Sequence, residues 1–80
     1  MTASIYSINK TLYAGEVEKV IARTPQGEIT VLKDHLPIIA TLVGPAVELV
    51  DAEGKRSAIP LESGFIEVRP ESEVVIVVHA

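Results

Sequence analysis

The sequence predicts an all-β fold: a flattened β-sandwich or barrel of about nine to ten mostly antiparallel strands, in one domain over residues 1–80 with no C-terminal helices. Three observations carry this expectation. Val, Ile and Thr fill the segments between turns, and β-branched side chains suit a pleated, half-buried surface better than a helix. Pro25, Pro37, Pro45, Pro60 and Pro70 interrupt the chain too often for a helix with a sustained apolar stripe. Breaks containing Gly or Pro recur at the short, regular spacing of a sandwich.

In chain order, the candidate strands are residues 4–9, 10–14, 17–24, 27–32, 38–42, 46–51, 55–60, 64–69 and 73–78. Gly15, Pro25-Gln26-Gly27, residues 33–37, Gly44-Pro45, Glu53-Gly54, Ser63-Gly64 and Pro70-Glu71 separate them. The clearest local feature is a hairpin: Val47 and Leu49 alternate with Glu48 and Val50, and Ala-Glu-Gly-Lys follows, with Gly54 able to take the positive φ of a primed turn. Residues 64–69 also alternate, placing Phe65 and Glu67 on one face and Ile66 and Val68 on the other. Residues 74–78 are β-branched throughout, which predicts a strand covered on both faces, by the fold or by a partner.

Composition narrows the function classes. Eleven acidic against seven basic residues give a net charge of −4, and the bases are scattered. With one Phe and two Tyr, the chain offers neither a phosphate-neutralising stripe nor a stacking platform for nucleic acid. It has no cysteine, hence no disulfide or thiolate metal site. The apolar runs 36–43 and 74–78 fall far short of the roughly 20 residues of a membrane span, and the N-terminus lacks a signal-peptide pattern. These features predict a soluble protein able to sit in a membrane-attached complex.

Catalytic chemistry finds few candidates. His35 and His79 are the only histidines, without metal-binding spacing, and His79 is expected to fray. The pairs Glu16/Glu18 and Glu71/Glu73 read as solvated edge or turn charges. No Gly-rich phosphate loop is present. No catalytic, cofactor or metal residue is therefore assigned. An alternative class is a lipoyl- or biotinyl-like carrier with Lys55 at a hairpin tip, although Gly54 and Arg56 are the wrong neighbours for that motif.

Four motifs in order give a more specific reading. They are Tyr13-Ala14-Gly15-Glu16-Val17-Glu18-Lys19-Val20, Gly27-Glu28-Ile29-Thr30-Val31-Leu32, Lys33-Asp34-His35-Leu36-Pro37-Ile38, and Glu62-Ser63-Gly64-Phe65-Ile66-Glu67-Val68-Arg69-Pro70. Together they resemble the N-terminal β-sandwich of the epsilon subunit of F-type ATP synthases, over nearly the whole chain. Against the family pattern, Lys33-Asp34 replaces a Pro-Gly before the histidine, Gly44-Pro45 inverts a Pro-Gly, and Ser63 replaces the first glycine of a pair. Family members continue into a C-terminal helical hairpin that these 80 residues do not contain, so the resemblance implies either a natural short form or a truncated chain.

The resemblance implies a non-catalytic central-stalk subunit without a cofactor, peripheral to the cytoplasmic face of the bacterial plasma membrane. It would bridge the gamma subunit and the c-ring, in a complex with catalytic alpha and beta subunits, and help couple ion-driven rotation to ATP synthesis. By matched position, Gln26, Gly27 and Glu28 would face the c-ring, while Ser7, Tyr13, His35, Leu36, Pro37 and Ile38 would face gamma. Independently, the apolar excess of 48% is more than one small core readily hides, which predicts a partner-covered face.

Overall fold

In the computed structural model, which describes residues 1–79, the chain folds as β1 (Thr2–Tyr6), β2 (Thr11–Glu16), β3 (Lys19–Thr24), β4 (Gly27–Leu32), β5 (Ile38–Val50), β6 (Arg56–Pro60), β7 (Ser63–Arg69) and β8 (Glu73–His79). All described secondary structure is β, as the β-branched composition requires. The strands form one sheet in the order β2-β1-β8-β7-β5-β3-β4, with β6 also on β5; it does not close into a barrel. All pairings are antiparallel except β1 with β8.

The strand count is eight because two expected strands are one. Gly44-Pro45 does not end a strand; it lies inside the 13-residue β5. Pairing runs in unbroken register from Ile38↔Val68 to Val43↔Ser63, then from Ala46↔Pro60 to Val50↔Arg56. Between these stretches the Gly44 N–H donates to the Glu62 carbonyl (3.1 Å) and the Pro45 carbonyl accepts from the Leu61 N–H (3.0 Å). One long ribbon therefore bends at Gly44-Pro45 against Leu61-Glu62, and the peptide at the bend is cis. On its other side β5 pairs with β3 through a register shift between Ile21 and Arg23. The bend divides the sheet into two layers: β2-β1-β8-β7 with the first half of β5, and β6, β3 and β4 with its second half.

Between the layers lies the core. Ile5, Leu42, Leu49, Ile66 and Ile76 are fully buried, and alternation supplies them: each strand turns every second side chain inward. Burial of this close-packed aliphatic set is the main stabilising contribution. Val17, expected in a strand, instead lies buried at the crossing between layers, with its N–H on the Met1 carbonyl (2.8 Å). Gly15 does not end β2, because Ala3 pairs across it.

Turn chemistry also departs from expectation in places. Gly54 has φ 83°, as anticipated, but neither Ala52 nor Glu53 has positive φ, so the turn is not primed. Gly54 instead follows a turn closed by its N–H on the Asp51 carbonyl (3.0 Å), the pattern of a left-handed glycine after an ordinary turn. The Asp51 carboxylate accepts from the Glu53 and Lys55 N–H groups, each at 2.9 Å. Lys55 also accepts from the Asp51 N–H (3.0 Å), so it closes the base of this loop rather than standing at its tip. That placement removes the geometry a carrier lysine needs. His79 is not frayed: it pairs with Ser63, and its carbonyl accepts from the Glu62 N–H (2.9 Å).

Candidate functional site

The outer face of the β1-β8-β7-β5 layer carries the principal surface feature. Cross-strand pairing aligns Tyr6, Val77, Phe65 and Thr41 in one row over four strands. The next row is Ser4, Val75, Glu67 and Ile39. Exposure is high for apolar side chains: 45% at Val77, 59% at Phe65, 77% at Ile39, and 94% at Ile8 in the turn beyond β1. Ile8, Phe65, Val77 and Thr41 border a groove of about 340 Å³. Exposed singly, such residues mean little; gathered on one face of the sheet they form a candidate docking surface.

Charge lies at the opposite end of this face. The Arg69 guanidinium contacts Glu67 at 3.1 Å and Glu73 at 3.4 Å. The hydrogen bond and charge of Glu67, then of Glu73, raise the Arg69 pKa above its ordinary value. These groups are substantially exposed, so they form a polar rim rather than an energetic anchor. Of the two faces of residues 74–78, the fold covers one: Val74, Ile76 and Val78 face the core, whereas Val77 faces out, which leaves the second face to a partner in the expectation above.

Two loop regions anticipated from the sequence flank this face. Residues 33–37 cross between the layers from β4 to β5. The His35 N–H donates to the Leu32 carbonyl (3.1 Å), and its Nδ1 lies 2.7 Å from the Leu36 carbonyl oxygen. His35 is half-buried, Leu36 and Pro37 are exposed, and Ile38 packs partly against the core as the first residue of β5. The hairpin tip at Gln26 and Gly27 sits beside the bend of β5, through the Arg23↔Val43 pair. It is braced from below by the buried Thr24. The Thr24 hydroxyl donates to the Gly27 carbonyl (2.9 Å) and accepts the Gln26 N–H (3.2 Å). Glu28 is exposed opposite Arg23.

The structure does not gather all the expected gamma-facing residues into one cluster. Ser7 is in the β1–β2 turn, its N–H on the Lys10 carbonyl (2.9 Å), at the end of β1 remote from residues 33–37. Tyr13 is on β2, half-buried, with its ring along Gly15. What lies between Ser7 and the His35 corner is the apolar face itself. The sequence reading selects the loops and assigns no role to Tyr6, Ile8 or Phe65, while it expects residues 74–78, and so Val77, to be covered by the fold or by a partner. Two signals for them were present: Phe65 alternating away from Ile66, and the unbroken β-branched run of β8.

A two-layer sandwich with one uncovered, largely apolar face bordered by ordered loops offers a candidate surface for docking another protein. The family is identified by similarity over the full length. The profile of the ATP synthase Delta/Epsilon chain beta-sandwich domain matches residues 1–80, and this chain belongs to that family. An ATP synthase epsilon chain of Dichelobacter nodosus is 33% identical over 90% of this chain and 50% of its own length. One from Mycolicibacterium smegmatis is 32% identical over 100% of this chain and 67% of its own length. The chain thus spans about half the length of several relatives it matches. In fold, it superposes on a chain of the Euglena gracilis mitochondrial ATP synthase (OSCP/F1/c-ring, rotational state 1) with a TM-score of 0.91 at 22% identity, covering 98% of this chain and 49% of that one.

Proposed function

We propose that the chain is a non-catalytic rotor subunit of a rotary F-type ATP synthase, bridging the gamma subunit and the c-ring. In this reading it is peripheral to the cytoplasmic face of a bacterial plasma membrane and helps couple ion-driven rotation to ATP synthesis. The observation that carries it is the uncovered apolar face running from the Ser7 turn to the His35 corner. A gamma subunit lying across that face would meet the Ser7 turn and the His35 corner and cover Phe65 and Val77. The tip at Gln26, Gly27 and Glu28 would meet the c-ring, with Glu28 against basic ring residues. The mechanical demand on such a part is to transmit torque without deforming, and a core packed at crystal-like density suits it.

Co-expression with the gamma subunit of the same organism, followed by size exclusion, tests the reading. The unaltered chain is expected to co-elute. Phe65→Asp is expected to stay folded, since Phe65 is outside the core, and to weaken binding at least tenfold by putting a charge into a desolvated contact. Failure of the unaltered chain to co-elute with folded gamma would overturn the proposal.

A further inference from the structure

We infer that Ser72 and Asp34 form a clasp that fixes the pose of the His35-Leu36-Pro37 corner, which makes Ser72 a positioning residue for the gamma contact; this rests on the reading of that corner given above. Residues 32–35 form a β-turn closed by the His35 N–H on the Leu32 carbonyl (3.1 Å). Its third residue, Asp34, has φ 66°. A positive φ there is the type II signature, normally filled by glycine because an L side chain disfavours it. This chain places an aspartate at that position, one of the few residues besides glycine that adopt the left-handed backbone, and a bond from outside the turn can hold it there.

Ser72 is so placed. It lies in the β7–β8 turn, where Glu71 (φ 65°) and Ser72 (φ 57°) are themselves left-handed. The Ser72 hydroxyl accepts the Asp34 N–H at 3.2 Å and donates to Asp34 Oδ1 at 3.5 Å. Its carbonyl accepts the Thr2 N–H at 3.0 Å, which fixes Ser72 to the start of β1. Among the described residues, these two bonds are the side-chain hydrogen bonds that tie residues 33–37 to another loop. One hydroxyl therefore transmits the position of the β1-β8 end of the sandwich to the crossing loop, and so to His35.

The test measures amide exchange of His35 in the free protein, with Ile66 as a core reference, and affinity for gamma. Ser72→Ala, and Ser72→Gly which keeps the left-handed turn, are both expected to speed His35 exchange about three- to tenfold, the effect of losing the 3.2 Å hydrogen bond together with the weak 3.5 Å one. Ile66 exchange should not move, and gamma affinity should fall by a similar factor. Adding Asp34→Gly, which supplies the left-handed residue directly, should restore most of both. Unchanged His35 exchange in the Ser72 variants overturns the clasp. Faster exchange with unchanged gamma affinity overturns its positioning role. If the unaltered chain does not bind gamma, the functional reading fails, whatever the exchange data show of the clasp.

Discussion

Replacing Gly64 by alanine would push a methyl group into the backbone of β8. A Cβ at this position meets the Val77 carbonyl oxygen inside van der Waals contact, with Val78 Cα at 3.3 Å and Leu61 Cδ1 at 3.4 Å. Leu61 has a rotamer to change, but the Val77 carbonyl is fixed between paired strands. Gly64 pairs with Val78 on one side and with Leu42 on the other. Relief therefore requires β7 and β8 to separate or the ladder to shift. Overpacking a core by one methyl costs about 1–3 kcal/mol, offset by about 0.5–1 kcal/mol because alanine loses less chain entropy than glycine in a strand. Because the carbonyl cannot yield, the upper end of the cost applies; the net expectation is a loss of about 2–2.5 kcal/mol, and at this chain length a Tm about 8–20 °C lower. Urea unfolding followed by circular dichroism should show a lower midpoint with unchanged slope. Ser63→Gly is the internal comparison: Ser63 is exposed with ordinary φ, so glycine there relieves nothing and should cost about 0.5–1 kcal/mol. A Gly64→Ala protein as stable as the parent would refute the close-approach reasoning.

Three further outcomes follow from the turns and the charges. Glu71→Gly should raise stability by about 0.5–1 kcal/mol in thermal unfolding, because an exposed glutamate at φ 65° occupies a conformation that glycine takes freely. Thr24→Val keeps the shape and removes the hydroxyl that braces the hairpin tip; it should cost about 1–2 kcal/mol and speed Gln26 amide exchange. The Glu16 pKa is lowered from 4.5, first by the hydrogen bond from the Thr2 hydroxyl (2.7 Å) and then by the Met1 ammonium group. A carboxylate whose folded pKa is depressed contributes stability above its unfolded pKa and loses it as pH falls through the folded pKa. Urea midpoints measured downward from pH 4.5 should therefore fall less steeply for Thr2→Ala than for the parent.

Legibility in the sequence followed the physical range of each interaction. Alternation is local, so the chain alone places Ile66 and Val68 on one face and Phe65 and Glu67 on the other, and the structure turns the first pair into the core. The hairpin tip at Gln26-Gly27 and the crossing loop at residues 33–37 were marked by residues with unusual backbone freedom or restriction. The bend of β5 was read as a strand end, because Gly44-Pro45 looks like punctuation and its pairing partners Leu61 and Glu62 lie far along the sequence. The departure at Lys33-Asp34 was visible, but its compensation by Ser72, 38 residues from Asp34, was not.

The sequence by itself determined the β class, the alternation of side chains along single strands, most of the turns and the family, since these depend on residue type, local period and ordered motifs. Tertiary structure decided which strands became neighbours, and with that everything assembled across strands. The row Tyr6, Val77, Phe65 and Thr41 exists only because β1, β8, β7 and β5 lie side by side. The clasp at Asp34 exists only because the β7–β8 turn closes beside the β4–β5 crossing. Side-chain direction within a strand is set by the pleat, whereas a face or a clasp requires register between distant segments, which long-range packing alone fixes.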